Sequence, residues 1–132
     1  MQKNICKVYL AGSINGATDA ECKDWRDWFA TIWPFKTIDP LRRDYRGKEL
    51  TNVSEIVHLD KLDIQNSDLV VVRYDKPSVG TSMEVFYAHS LGKPIILWCD
   101  EGVTLSPWMV YHITSKVHTK EDLVKKCYEV FS

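Results

Sequence analysis

The sequence predicts one α/β domain spanning residues 1–132, built on a doubly wound parallel sheet of about five strands, flavodoxin-like or Rossmann-like. Short aliphatic runs alternate with longer segments whose apolar residues recur at helical spacing, which is typical of repeated strand and helix units. The run from Leu69 to Arg73 is almost entirely apolar, as expected for a strand that helices cover on both faces. A length of 132 residues suffices for one domain with a sizeable core.

The first part of the chain is predicted to contain a strand, a helix and a second strand. The apolar segment 5–11 forms the first strand and ends at Gly12. Apolar side chains at helical spacing predict a helix over about residues 19–32, and Pro34 stops it. Residues 36–38 form a short second strand.

A polar loop over residues 39–50 leads to the second helix. Thr51 or Asn52 caps that helix, and Asn52 with Glu55 fits a capping-box pattern. The third strand is the apolar run 69–73 described above.

A third helix contains Glu84 and runs to Leu91, and Gly92 suits the position just after its end. The elements beyond it are a strand over 94–99, a short helix over 105–111, a brief strand at Val117 and a final helix capped by Thr119.

Composition and charge exclude several classes of protein. A net charge of −1 gives no electrostatic case for binding a nucleic acid polymer, and no apolar run is long enough to span a membrane. Lys3 leads almost directly into a strand, so no signal peptide is expected. Cys6 and Cys99 fall in predicted strands and indicate buried thiols in a reducing, cytoplasmic compartment. The cysteines and histidines show no metal-ligand spacing, so no metal is expected.

The segment from Gly80 to His89 is the most informative in the chain. It follows the third strand and opens a helix, so Glu84 is expected in the first helical turn, where open α/β sheets bind ligands. The helix dipole would favour an anionic carboxylate there. An ionised, positioned carboxylate can attack a carbon that develops positive charge, such as C1′ of a sugar.

Two further groups of residues permit both a functional and a structural interpretation. The turn at Gly12 and Ser13 can present backbone N–H groups to a phosphate, although a tight turn alone explains it more simply. Asp60 and Asp63 share a helix face and point towards the strand ends, although any single Asp is more often a solvated surface residue.

Three arginines crowd the loop after the second strand. They suit bidentate recognition of phosphate, but the acidic residues of the same loop could pair with them in a structural network. The arginines are Arg42, Arg43 and Arg46, and the acidic residues are Asp39 and Asp44.

Taken together, these segments resemble the nucleoside 2-deoxyribosyltransferase superfamily. The resemblance covers most of the chain and rests on segments 8–14, 66–72, 77–85 and 92–95, together with Asp60 at the family's separation from Glu84. It implies that Glu84 is the nucleophile on C1′, that Asp60 assists the departing base, and that Tyr9 orients Glu84 and the sugar. It implies no metal and no organic cofactor. Glu84 is then expected to be ionised while Asp60 donates, which requires separated pKa values.

The superfamily contains transferases that exchange bases and hydrolases that release the base from a nucleoside 5′-monophosphate. Ser13 and Ser78 match serines that hold the 5′-phosphate in the hydrolases, and Gly12 and Gly80 fall in the matched segments that approach the substrate. The resemblance therefore favours a nucleotide hydrolase acting through a glycosyl-Glu intermediate. The alternatives are a deoxyribosyltransferase and a nucleotide-binding module without catalysis.

Asn15 stands where the hydrolases carry arginine, so Arg43 or Arg46 is expected to supply the missing charge. Ser106 matches a serine that reaches the phosphate in a neighbouring subunit's site. That match predicts a homodimer or larger assembly, and so does a first helix with more tryptophan surface than a small core needs.

Overall fold

The computed structural model describes residues 6–131 and contains a five-stranded sheet in which every neighbouring pair of strands is parallel. The strand order is β2-β1-β3-β4-β5, which is the flavodoxin-like order. The predicted fold class and strand number are confirmed. The strands are β1 (Lys7–Gly12), β2 (Lys36–Ile38), β3 (Leu69–Arg73), β4 (Ile95–Trp98) and β5 (Ser115–Val117).

Helices cover both faces of this sheet. Trp25, Phe29 and Leu123 pack with one face, and Ile64, Val85 and Met109 pack with the other. We refer to these as the α1–α5 face and the α2–α3–α4 face. The helices are α1 (Trp25–Ile32), α2 (Val53–Gln65), α3 (Val79–Ser90), α4 (Pro107–His112) and α5 (Lys120–Phe131).

Alternation along β1 explains how one strand serves two cores. Val8 and Leu10 point into the α1–α5 core, whereas Tyr9 and Ala11 point into the α2–α3–α4 core. All four are fully buried. The one polar group among them, the Tyr9 hydroxyl, therefore needs a partner inside the protein.

The three tryptophans of the first helical segment belong to the core of the monomer. Trp25 and Trp33 are buried, Trp28 packs against the same cluster, and the Trp33 ring stacks on Phe29. The prediction that this segment has more aromatic surface than a small core needs is therefore wrong. Its tryptophans give no support to a homodimer.

Two local predictions differ from the structure. The helix predicted over 19–32 begins as a π-helical segment, Ala20–Asp24, before α1. The capping box is wrong, because the Asn52 side chain makes no cap hydrogen bond and instead donates to the carbonyl of Lys48, while Glu55 accepts from Tyr45. The predicted start of the first strand at Ile5 lies outside the described residues.

The strand order fixes where a ligand can bind. The chain leaves β1 towards β2 on one side and returns to β3 on the other, so the loops after β1 and β3 diverge at the carboxyl edge. Tyr9 lies on β1 and Glu84 on the helix after β3, so both flank this switch point. Within the described residues, no helix is long and apolar enough to cross a lipid bilayer.

Candidate active site

Glu84 lies on the side of α3 that faces the sheet, in line with the buried residues Thr81, Val85 and Ala88. It is the sixth residue of a helix that begins at Val79, so it lies in the second turn and not in the first. Because the dipole effect falls off within one turn, the predicted dipole stabilisation of the Glu84 anion is weak. The anion has to be stabilised by side chains instead.

Tyr9 supplies the direct contact to this carboxylate. Its hydroxyl donates a short hydrogen bond to Oε2 of Glu84 from the middle of β1. Burial and the Glu84 charge raise the pKa of Tyr9 well above its usual value, so the phenol keeps its proton and remains a donor. A rigid strand thereby fixes one oxygen of Glu84.

The Glu84 carboxyl group is held in an environment that resists ionisation. Desolvation raises the pKa of Glu84 to about 7, against the lowering effect of the Tyr9 hydrogen bond and of the Arg26 charge. Asp60 and Asp63 add to the increase. Glu84 therefore changes charge near neutral pH, which is typical of residues at functional sites.

Asp60 and Asp63, both on α2, meet the arginines of the loop after β2. Arg42 binds Asp63 through two N–H groups at 2.8 and 3.0 Å. Arg43 Nη2 lies 2.7 Å from Asp63 and 3.3 Å from Asp60. Asp63 thus engages both arginines, whereas Asp60 has one longer contact and retains hydrogen-bonding capacity.

Asp60 also titrates abnormally, because desolvation raises its pKa in spite of Arg43. Asp63 differs, since hydrogen bonds from Arg42 and Arg43 hold its pKa below the usual range despite its burial. The pKa of Glu84 is raised as well, so the protein without substrate does not show the expected pattern of a readily ionised Glu84 beside a protonated Asp60. Asp60 and Glu84 both raise the pKa of Tyr9, and Glu84 also accepts the hydrogen bond from its hydroxyl.

The turn after β1 contains the predicted phosphate residues. Ser13 is buried, and its hydroxyl donates to Oδ1 of Asp75 at 3.3 Å. A Cβ at Gly12 would lie 3.0 Å from the Trp25 ring, so close packing against that ring favours glycine there. Asn15 is exposed. The turn is therefore bound to the loop after β3, and a carboxylate lies beside its serine.

Ser78 and Ser106 both cap helices. The Ser78 hydroxyl accepts from the N–H of Thr81 at the start of α3, and that of Ser106 accepts from Met109 at the start of α4. Each hydroxyl still has a proton to donate. A Cβ at Gly80 would meet no atom within 4 Å, so the first turn of α3 borders open space.

In the described residues, the arginines of the loop after β2 form a network of ion pairs. Arg46 is bidentate to Asp44 and also pairs with Asp19, and Arg43 is bound as described above. The ion pairs of Arg43 and Arg46 are thus with carboxylates, Arg46 also donates to Sγ of Cys22 at 3.7 Å, and no hydrogen bond joins either arginine to Ser13 in the described residues. A different cation lies at the turn, because Lys76 Nζ is 3.1 Å from the carbonyl oxygen of Gly16 and 3.1 Å from Glu21.

A cleft of about 460 Å³ lies towards the α1–α5 face; its wall includes Asp75 but not Tyr9, Asp60 or Glu84. Trp25, Trp98 and Arg73 form part of its wall. Among residues 6–131, no three His, Cys, Asp or Glu side chains form a group that could hold a metal ion.

Sequence reasoning did not identify Arg26, Asp75 or Lys76. Arg26 follows Cys22 by four residues and precedes Phe29 by three, so a charged residue on the apolar side of the first helix was a detectable signal. Asp75 and Lys76 gave no such signal, because only the fold brings the loop after β3 to the turn after β1.

A partly buried carboxylate held by a phenol, with a second carboxylate nearby, suits displacement at a carbon that develops positive charge. At the ligand position of a flavodoxin-like sheet, this is the arrangement expected of an α/β enzyme acting on glycosidic bonds. The sequence model of the family "Nucleoside 2-deoxyribosyltransferase" matches residues 8–128, so the chain belongs to that family. The protein is therefore a nucleoside-processing enzyme that acts on N-glycosidic bonds.

Solved structures share the fold at low sequence identity. A 2-deoxyribosyltransferase from Bacillus psychrosaccharolyticus has a TM-score of 0.75 at 15% identity, covering 89% of this chain and 90% of its own. A conserved protein from Enterococcus faecalis V583 has a TM-score of 0.72 at 16% identity, covering 95% and 98%. The CMP N-glycosidase BcmB from Clostridium botulinum has a TM-score of 0.62 at 19% identity, covering 92% and 98%. No curated protein sequence gives a significant match.

Proposed function

We propose that the protein cleaves the N-glycosidic bond of a (2′-deoxy)nucleoside 5′-monophosphate and releases the free base, with Glu84 as the nucleophile. The observation that supports this most is the hydrogen bond from Tyr9 to Oε2 of Glu84, because it leaves Oε1 for the sugar carbon. A carboxylate in that position stabilises the oxocarbenium-like transition state and can form a glycosyl ester.

The reaction is expected to proceed in two displacements. In the first, Oε1 of Glu84 bonds to C1′ while the bond from C1′ to the base nitrogen breaks, and Asp60 donates a proton to the departing base. In the second, water attacks C1′, the ester bond to Glu84 breaks, and the proton of that water returns to Asp60. Asp60 suits this role better than Asp63, since Arg42 and Arg43 already occupy Asp63.

We propose that the 5′-phosphate is held by Ser13, Ser78 and the first turn of α3. Lys76 provides the cation, because its ammonium group lies at the carbonyl of Gly16 in the same turn. This proposal replaces the expected roles of Arg43 and Arg46, which carboxylates neutralise. Phosphate would compete with Glu21 for Lys76.

The second candidate function is a 2-deoxyribosyltransferase acting on nucleosides. Asp75 favours it, because a carboxylate at Ser13 accepts a hydrogen bond from a neutral 5′-hydroxyl but repels a phosphate. In that case a second base, and not water, attacks the glycosyl ester.

A panel of deoxynucleosides and 5′-monophosphates, incubated with and without a second base, tests these proposals by chromatography of the products. Free base from a monophosphate, formed without acceptor, supports the hydrolase. Exchange that needs an acceptor base supports the transferase. A wild-type rate for Glu84→Ala would exclude Glu84 as the nucleophile in either reaction. Lys76→Gln should selectively reduce the preference for the monophosphate over the nucleoside.

We also propose a homodimer formed through the outer surface of α3 and α4, in a reducing cytoplasmic environment. Phe86, Trp108 and Tyr111 are 56%, 74% and 73% exposed and lie on these neighbouring helices. Ser106 caps α4, and we propose that in the dimer it reaches the substrate site of the other subunit. The four buried free cysteines suit a reducing compartment.

A further inference from the structure

We propose that His89 on α3 and His112 on α4 together form a binding site for a divalent transition-metal ion such as Zn²⁺ or Ni²⁺. The site lies on the outer surface of the two helices, away from the side of α3 that carries Glu84 towards the sheet. It is independent of the role proposed for Glu84.

The separation of the two imidazole rings is the first observation. Their centroids are 4.7 Å apart, and their planes make an angle of 74°. Two imidazoles that bind one ion at about 2.0–2.1 Å, with an angle of about 90–110° at the metal, have centroids roughly 4.5–5.2 Å apart. The observed separation therefore fits two ligands of a single ion. Residue spacing did not predict this pair, because only the packing of α3 against α4 brings the rings together.

The hydrogen bond of His112 determines which of its nitrogens is available to a metal. Nδ1 lies 2.6 Å from the backbone carbonyl oxygen of Trp108, one turn earlier in α4. A carbonyl oxygen only accepts, so Nδ1 carries the proton and the lone pair of the neutral ring is on Nε2. Metal-binding histidines almost always donate their second ring nitrogen to an acceptor of this kind, which fixes the tautomer and the ring orientation. His112 therefore has the arrangement of a ligand that binds through Nε2.

Aromatic side chains hold the His112 ring in place. The Trp108 ring is nearly parallel to it, at an interplanar angle of 4° and a centroid distance of 6.1 Å. The rings of Phe86 and Tyr111 lie 5.2 and 4.9 Å away. A ring that its neighbours already restrain loses little further conformational freedom when it binds an ion.

His89 is exposed and can adjust to the ion. It lies in the last turn of α3, and within residues 6–131 neither of its ring nitrogens makes a hydrogen bond or an ion pair. The terminal χ2 torsion of histidine has a broad preference, so the exposed ring can direct a nitrogen to the ion that His112 binds. The pair thus combines one fixed ligand with one adjustable ligand.

The donor atoms select the class of metal. Imidazole nitrogens suit Zn²⁺, Ni²⁺ and Cu²⁺, whereas Mg²⁺ and Ca²⁺ prefer oxygen ligands. Among the described residues, no third His, Cys, Asp or Glu side chain completes the group, so water occupies the other positions on the ion. An ion bound here joins α3 to α4 and stabilises the folded protein by binding to it.

A zinc titration at neutral pH, followed by two-dimensional ¹H–¹⁵N NMR of the histidine side chains in untagged protein, tests this directly. The chain has four histidines, and the signals of His89 and His112 should shift together and saturate. His118 is the matched control, because its Nδ1 lies 2.9 Å from the carbonyl oxygen of Cys99 while no imidazole of the described residues contacts its ring. His58, exposed on α2, is the control for a single surface histidine.

His89→Gln and His112→Gln should each lower the affinity for Zn²⁺ at least about tenfold, because a chelating pair loses one of its two ligands. His118→Gln should leave the affinity unchanged, and Mg²⁺ should shift none of the four signals. Since His89 is exposed, His89→Gln also tests the site independently of the folding of His112→Gln.

A wild-type affinity for Zn²⁺ in folded His89→Gln or His112→Gln would overturn the proposal. So would shifts of His58 and His89 at the same zinc concentration, since the two rings would then bind as separate surface histidines. Neither experiment uses a substrate, so the result is distinct from that of the proposed hydrolase and transferase reactions.

Discussion

The hydroxyl of Tyr9 donates a hydrogen bond to Oε2 of Glu84, joining strand β1 to the helix that follows β3. This contact links the fold to the proposed chemistry. A buried tyrosine in the middle of β1 satisfies its one polar group by holding a carboxylate whose own environment opposes ionisation.

The pH dependence should report Glu84. Since Glu84 must be ionised to attack C1′ and Asp60 must carry a proton, the profile of kcat/KM against pH should be bell-shaped. Ionisation of Glu84 should contribute a midpoint near pH 7, the pKa to which desolvation raises it. Tyr9 should cause no decrease below pH 10, because its pKa is raised well above the usual value. Rate profiles from pH 5 to 9 check this. A plateau that is already complete at pH 5 would contradict it.

Tyr9→Phe should lower kcat/KM at pH 7 by roughly 10- to 100-fold, the range of hydrogen bonds to charged groups. It should also move the rate midpoint to higher pH, because the Tyr9 hydrogen bond lowers the pKa of Glu84. Tyr87→Phe is a matched control on the same helix as Glu84, where the hydroxyl accepts from Gln65. Equal effects of the two variants would show that Tyr9 only packs.

Replacing Asp60 should mainly affect catalysis, whereas replacing Asp63 should mainly affect the stability of the fold. Asp60→Asn should reduce kcat about 100-fold or more, as expected for loss of a general acid. Asp63→Asn should reduce kcat only weakly. It should lower the free energy of unfolding by about 1–3 kcal/mol, since the Asp63 carboxylate binds Arg42 and Arg43. Single-turnover rates and urea unfolding measure the two effects. The opposite order of effects would mean that Asp63 faces the substrate.

Glu84→Gln should stabilise the protein above neutral pH. The folded-state pKa of Glu84, about 7, exceeds its ordinary value of 4.5, so folding favours the protonated form. The contribution of Glu84 is therefore fully present below pH 4.5 and is lost as pH rises through 7. The gain in Glu84→Gln should be near zero at pH 4.5 and on the order of 2–3 kcal/mol at pH 8.

Urea unfolding at the two pH values measures this gain. The exposed Glu101→Gln is the control and should leave stability unchanged at both. A gain of the same size at pH 4.5 and pH 8 would show that the charge of Glu84 is not its source.

The proposed homodimer should depend on the outer surface of α4. Trp108→Asp and Tyr111→Asp should shift the protein to a monomer in light scattering, since a charge would be buried at the interface. Leu50→Asp, at a site that is 92% exposed in the loop before α2, should leave the assembly unchanged. If the wild-type protein is a fully active monomer at the assay concentration, the homodimer proposal is wrong.

The sequence by itself determined the fold class and the order of most elements. Aliphatic runs such as Leu69–Arg73 need two covered faces, and amphipathic segments between them supply those faces, so periodicity alone predicts a parallel sheet. The resemblance also predicted site roles for Glu84, Asp60 and Tyr9, and those roles stay predictions. Local capping was predicted less well, since the loop before α2 satisfies Asn52 and Glu55 through Lys48 and Tyr45.

Only the tertiary structure decided which charges meet. Arg43 and Arg46 form ion pairs with carboxylates from α2, from their own loop and from the segment before α1. The turn after β1 instead meets Asp75 and Lys76. Arg26 reaches the end of β1 because β2 stops at Ile38. Such contacts join residues up to 62 positions apart, and their energies depend on burial and distance, which residue spacing does not encode.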